Sequence, residues 1–205
     1  MGGGFISVAA VFWHQRVVDV IERGLIKGFI HAHTYQGSPL QACVALIVQL
    51  IIREDKLVEN AAIMGAYLMK ELKRALDKHP HVGNIRGTGL FIGIEFVVNK
   101  ITKEPFHPGL NIAEKLTTLA LLPPYNISLY PGSGCVDGIR GDHIIIAPAY
   151  NITEKDVDHI VATVSALVHD AFKQSTYLER KHAGLKSTLR SFNNKRSKYF
   201  LDRKK

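Results

Sequence analysis

Residues His31-Ala32-His33-Thr34-Tyr35-Gln36-Gly37-Ser38-Pro39 bring hydroxyl, imidazole and amide groups together in a short turn that runs into an apolar helix. A threonine hydroxyl beside backbone N–H groups is what the oxygens of a phosphate ester need around them. Gly37 lets the backbone approach such a group closely. Ser38 and Pro39 read as a helix start, with serine as N-cap and proline at the first helical position. Spacing alone favours a plain structural turn over a phosphate site. His31 and His33 form a pair without a further ligand cluster, whereas zinc takes three or four ligands. Structural roles suit these histidines better than metal binding.

Two other groupings invite chemistry. Gly87, Gly89 and Gly93 look superficially like a dinucleotide-binding loop, but that loop must open a helix, and Leu90-Phe91-Ile92-Gly93-Ile94-Glu95-Phe96 is strand-like. The dinucleotide reading fails on context. Arg140 stands in a Gly- and Pro-rich stretch just before Gly141-Asp142-His143. A solvated loop arginine is its plain reading. Cys43 and Cys135 supply neither a disulfide framework nor zinc spacing. Cys43 falls on an apolar helical stripe and reads as a small core residue.

The elements that would position these groups follow from periodicity. Residues 5–12 form an apolar, β-rich run without alternation, as expected of a strand buried on both faces. Residues 15–24 read as a short helix. Leu40, Cys43, Val44, Ile47, Leu50 and Ile51, then Leu57, Ala61, Met64, Leu68, Leu72 and Leu76, predict a long, bent helix that ends before Pro80. The first part of it, residues 40–52, reads as a buried helix, too short to span a bilayer.

Residues 82–86 and 90–98 are β-branched runs around Gly87-Thr88-Gly89 and predict two strands joined by a tight turn. Ile112, Leu116 and Leu119 mark a helix stopped by Pro123-Pro124. Residues 127–130 and 143–147 predict two more strands. Thr153-Glu154-Lys155-Asp156 reads as a capping box opening a last helix through Phe172. Strands sharing a segment with helices predict an α+β unit.

Three blocks resemble class III aminotransferases, pyridoxal phosphate enzymes of fold type I. The turn at residues 31–39 resembles the H-G-H-T-Y-x-G-H-P signature, with Ala32 and Ser38 departing from it. Residues 82–96, from Val82-Gly83-Asn84 to Ile94-Glu95-Phe96, resemble V-G-D-V-R-G-x-G-L-x-x-G-I-E-L. Residues 141–153, from Gly141-Asp142-His143 to Asn151-Ile152-Thr153, resemble G-D-H-x-x-x-A-P-P-x-x-I-T, with Ala149 in place of the second proline. The three blocks stand in the family's order and the resemblance covers residues 1–172.

The resemblance implies an α/β fold: the C-terminal part of a fold type I pyridoxal phosphate-dependent transferase. Residues 1–52 would be the end of the large cofactor-binding domain and the start of a linking helix, and 53–172 the small C-terminal α+β domain. Residues 173–205 lie outside the resemblance and, with scattered Leu and Phe but no sustained stripe, are expected to be a basic, partly disordered and partly helical tail. Thr34, with His33 and Tyr35, would bind the phosphate of pyridoxal 5'-phosphate in a neighbouring subunit. Arg140 would receive the substrate carboxylate beside a flexible loop at residues 130–134, and Arg86 and Glu95 would shape the small domain.

The family's Schiff-base lysine lies just before the glycine run that Gly2-Gly3-Gly4-Phe5 resembles, and Lys27 gives no reason to replace it. The expectation is therefore a fragment that is inactive alone. It would dimerise with itself or serve as a non-catalytic partner of a full-length relative, with an amine or amino acid and a keto acid as the small-molecule substrates.

Charge separates the body from the tail. The net charge is +8, yet residues 173–205 hold eleven Lys/Arg against two Asp/Glu, which leaves fifteen basic and sixteen acidic residues before them. A neutral body argues against nucleic acid as the main partner, and a solvated tail outweighs an acidic-surface binder. Hydrophobic content of 46% and charged content of 21% are those of an ordinary globular chain. No secretory signal is visible, and a cytoplasmic location is expected.

Overall fold

The computed structural model describes residues 1–24, 34–173, 183, 184 and 186. The chain divides into two compact units, Met1–Val58 and Glu59–Lys205.

Among its described residues the first unit holds two helices. Helix α1 spans Gln15–Arg23 and is capped by His14, whose ring Nδ1 accepts the N–H of Arg16. Helix α2 spans Pro39–Glu54 with Ser38 as N-cap and Pro39 at its first position. Residues 5–12 form no strand. A strand exists only through its ladder partners, and among the described residues none pairs with this run, whose Phe5 and Phe12 stand exposed.

The apolar stripe of α2 is likewise only partly covered, with Val44 and Leu50 half-buried and Ile47 and Ile51 exposed. The helix buries no residue, and both Leu40 and Cys43 are exposed. The expected burial of Cys43 is therefore corrected. Periodicity finds an apolar face, but burial needs a second layer, and no described part of this unit supplies one.

The predicted long helix is in fact two. It breaks at Asp55-Lys56, where Lys56 takes φ 51, a left-handed conformation that ends the first run. Helix α3 then spans Leu57–Leu76 and buries Met64, Leu68, Leu72 and Leu76 at i, i+4 spacing. This is the stripe read from the sequence.

The second unit is an antiparallel sheet covered by helices. Strands β1 (Val82–Thr88), β2 (Phe91–Asn99), β3 (Glu104–Pro105), β4 (Tyr130–Gly132) and β5 (Asp142–Ile146) make five strands. The order is β1-β2-β5-β4, with β3 added on β2. Helices α4 (Ile112–Ala120) and α5 (Glu154–Ala171) complete it. Alternation decides the faces: Ile92, Ile94 and Phe96 of β2 and Ile144 and Ile146 of β5 enter the core with the stripes of α3, α4 and α5.

Residues 127–129, predicted as strand, are irregular, and the strand starts only at Tyr130. Its pairing with β5 places Tyr130–Gly132 in the sheet, so the segment predicted as a flexible loop is half ladder.

Two close approaches fix the frame. A Cβ on Gly65 of α3 would lie 2.2 Å from the backbone of Gly89, the residue that turns β1 into β2 at φ +55. Helix and hairpin therefore meet backbone to backbone, which only glycine permits. At the start of α5, Thr153 and Asp156 form the predicted capping box: the Asp156 carboxylate accepts Thr153 N–H at 2.7 Å, and the Thr153 hydroxyl accepts Asp156 N–H at 3.4 Å. Among the described residues, no helix is long and apolar enough to cross a membrane.

Candidate functional site

The signature turn lies in the first unit. Residues 25–33, which include Lys27, His31 and His33, lie outside the described residues. From Thr34 onward the chain makes a turn that leads through Gly37, at φ +73, into Ser38 and α2. Thr34 and Tyr35 are exposed. Ser38 occupies the N-cap position without its side chain accepting a helix N–H, so the first turn of α2 keeps donors that nothing local has taken.

An open pocket of about 700 Å³ lies between this turn and the N-terminal segment, lined by Gly2, Ile6, Ser7, Tyr35, Ser38 and Gln41 among others. Gln41 spans it by donating to the Ser7 carbonyl at 2.9 Å. The described lining holds hydroxyl, amide and backbone donors and no carboxylate. No charged side chain lines it among the described residues, Thr34 stands outside the lining, and the helix N-terminus contributes a positive dipole end. The donor set fits the phosphate of an ester such as pyridoxal phosphate.

Arg140 lies in the second unit, at the end of a small loop closed on itself. Cys135 N–H donates to the Gly141 carbonyl, Val136 N–H to that of Arg140, and Gly138 N–H to that of Gly134. Asp137 stands at its tip. One carboxylate oxygen accepts the N–H of Ile139 at 3.0 Å and of Arg140 at 2.7 Å, and the other accepts Arg140 Nε–H at 2.7 Å. These bonds hold the Asp137 carboxyl down at about 2, against its ordinary 3.8; the Arg140 backbone N–H contributes most.

Both residues border a pocket of about 310 Å³ with Phe106, His107 and Ile139. Lys186 also reaches this pocket and pairs with Glu104.

The other two motif blocks make frame. Arg86 Nη1 donates to Glu95 at 2.6 Å across the β1–β2 hairpin, as a shaping role requires. Asp142 is buried and accepts the N–H of Ala113 at 3.2 Å, capping α4, whose own N-cap Asn111 makes no side-chain bond. Burial pushes the Asp142 carboxyl up. His143 lies opposite Glu95 in the ladder, and its ring fills the space where a Cβ on Gly132 would stand, 2.2 Å away. Asn60 of α3 donates to the carbonyls of Tyr150 and Ile152 at 2.7 and 3.0 Å, fixing the end of the third block.

Asp137 is the residue that sequence reading missed. Its signal was present as Asp-Gly-Ile-Arg: an aspartate whose carboxylate takes the N–H groups two and three residues on, with the arginine at the third.

A unit that pairs an exposed anion-compatible turn with a helix, and another built as a helix-covered antiparallel sheet, are parts of an α/β transferase architecture. The chain belongs to the class III aminotransferases: the family model "Aminotransferase class-III" matches residues 1–168. An aminotransferase of Gibberella zeae is 50% identical over 169 residues, 82% of this chain and 32% of that protein. An uncharacterised aminotransferase of Schizosaccharomyces pombe is 40% identical, over 82% of this chain and 36% of its own length.

Among solved structures, a thermostable (S)-enantioselective omega-transaminase from Thermomicrobium roseum superposes with a TM-score of 0.64 at 32% identity, covering 76% of this chain and 32% of that one. The chain thus spans about a third of the length of the relatives it matches. Its fold is a partial fold type I, and the family uses pyridoxal phosphate.

Proposed function

We propose that these residues are the C-terminal portion of a pyridoxal phosphate-dependent transaminase that moves an amino group from an amine or amino acid to a keto acid. The observation that carries this reading is the match of residues 1–168 to the family, with the Thr34 turn and the Arg140 loop both inside it. Pyridoxal phosphate, when bound, supplies the electron sink for the chemistry at the substrate carbon.

The chain's own residues bind and orient. Thr34 donates its hydroxyl to a phosphate oxygen, Gly37 brings the backbone close, and His33 and Tyr35 flank the group. In a homodimer this turn completes the site of the neighbouring subunit. Arg140 offers two Nη donors to the substrate carboxylate and so fixes which end of the substrate faces the cofactor. On this reading residues 1–52 are the end of the large cofactor-binding domain and the start of the linking helix, 53–172 the small domain and 173–205 a basic tail. The free thiols Cys43 and Cys135 fit a reducing compartment such as the cytoplasm.

The 205 residues taken alone turn over no substrate, since they span a third of each relative. The test is to incubate the chain with pyridoxal phosphate, an amino donor and a keto acid. The expected result is no product; steady product formation removes the claim.

The partly exposed stripe of α2 favours a second reading, a non-catalytic partner of a full-length relative. Co-expression of the two with a pull-down decides it, and absence of a complex ends it.

A further inference from the structure

We propose that Asp137 is the positioning residue of the carboxylate site, acting through Arg140. It binds the arginine by Nε so that the outer face of the guanidinium is presented to an incoming carboxylate. The proposal rests on the reading of Arg140 as the carboxylate-binding residue.

Geometry carries it. A guanidinium has two faces that accept a carboxylate side-on, one through Nε and one Nη, the other through both Nη groups. Asp137 Oδ2 occupies Nε at 2.7 Å, and no other ion pair holds Arg140 among the described residues. That leaves the edge with both Nη groups for a ligand, and Arg140 borders the 310 Å³ pocket together with Phe106, Ile139 and the Glu104–Lys186 pair.

The same aspartate fixes its own position. Its Oδ1 takes the backbone N–H of Ile139 and of Arg140, so side chain and backbone of the arginine are tied to one carboxylate. Gly138 and Gly141, at φ +85 and +102, let the loop close tightly enough for this. An unpaired Arg140 would sample many rotamers, and binding would have to order it. Pairing at Nε removes most of that cost before the ligand arrives, without consuming the donors the ligand uses.

The closing experiment uses the full 205-residue chain and the arginine Nε–H signals in ¹H–¹⁵N NMR, with succinate as the probe. Asp137→Asn keeps an oxygen for the backbone N–H groups of Ile139 and Arg140 but loses the charged acceptor at Nε. The loop amides should stay in place. The Arg140 Nε–H should exchange with water about tenfold faster, and succinate should bind about threefold to fivefold more weakly, the weight of one exposed ion pair.

Arg140→Gln should abolish the succinate response and leave the loop amides unmoved. An Nε–H that exchanges equally fast in wild type and D137N overturns the positioning role. An ordered Nε–H in wild type with no succinate response overturns the carboxylate reading instead, so the two failures appear in different signals.

Discussion

His79 shows how burial alone makes a side chain answer to acid. The ring is buried against His169 and Phe172, with centroids 5.0 and 5.5 Å away, and it is held at about 4 instead of its ordinary 6.5. Desolvation is the main cause, and His169, His81 and Lys100 add repulsion. Above 6.5 the ring is neutral in both folded and unfolded chains. As pH falls from 6.5 toward about 4, only the unfolded chain takes up the proton, so stability falls across that window.

Thermal midpoints measured across it should decline, and His79→Phe should flatten the decline. A midpoint that is constant in wild type rejects the account. At the signature turn, Thr34→Val removes one hydroxyl donor to a charged oxygen and should weaken pyridoxal phosphate binding by the assembled enzyme about tenfold or more. Titration of the apoenzyme with the cofactor checks this; unchanged affinity removes Thr34 from the site.

At the scale of elements, caps and close contacts decide stability. Thr153→Ala leaves the N–H of Asp156 without the hydroxyl that accepts it and should cost about 1 kcal/mol, measured by urea denaturation. Gly65→Ala places a methyl group 2.2 Å from the Gly89 backbone and should cost more than about 2 kcal/mol, since neither element can give way by a rotamer change.

The elements also show what sequence conveys. The hairpin around Gly89 and the capping box at Thr153 were legible because both are local: turn and cap chemistry lies within a few residues. The strand at residues 5–12 and the buried Cys43 were misread because both depend on a partner layer that no local pattern encodes. Arg140 was legible as a charge before Gly141-Asp142-His143. Its orientation was not, because it depends on Asp137 reaching back through two backbone bonds and one side-chain bond.

At the scale of the whole molecule the two units differ in what holds them. The second has a single core running through α3, the sheet, α4 and α5, whereas neither α1 nor α2 of the first buries a residue. Protection from amide hydrogen exchange tracks such differences. Exchange followed by mass spectrometry should find β2, β5 and α3 protected longest and α2 exchanging orders of magnitude faster. Equal protection of α2 and β2 in the isolated chain rejects this ranking.

The meeting of Gly65 with Gly89 also bears on how relatives of this chain are to be compared. A contact made by main chain against main chain is indifferent to polarity, charge and catalysis; it selects on volume alone. A glycine kept at this position across many sequences would therefore record the thickness of a joint and say nothing about the amino donor. If Arg140 receives the substrate carboxylate as proposed, positions whose variation tracks substrate choice belong instead around its pocket, where shape and charge both matter.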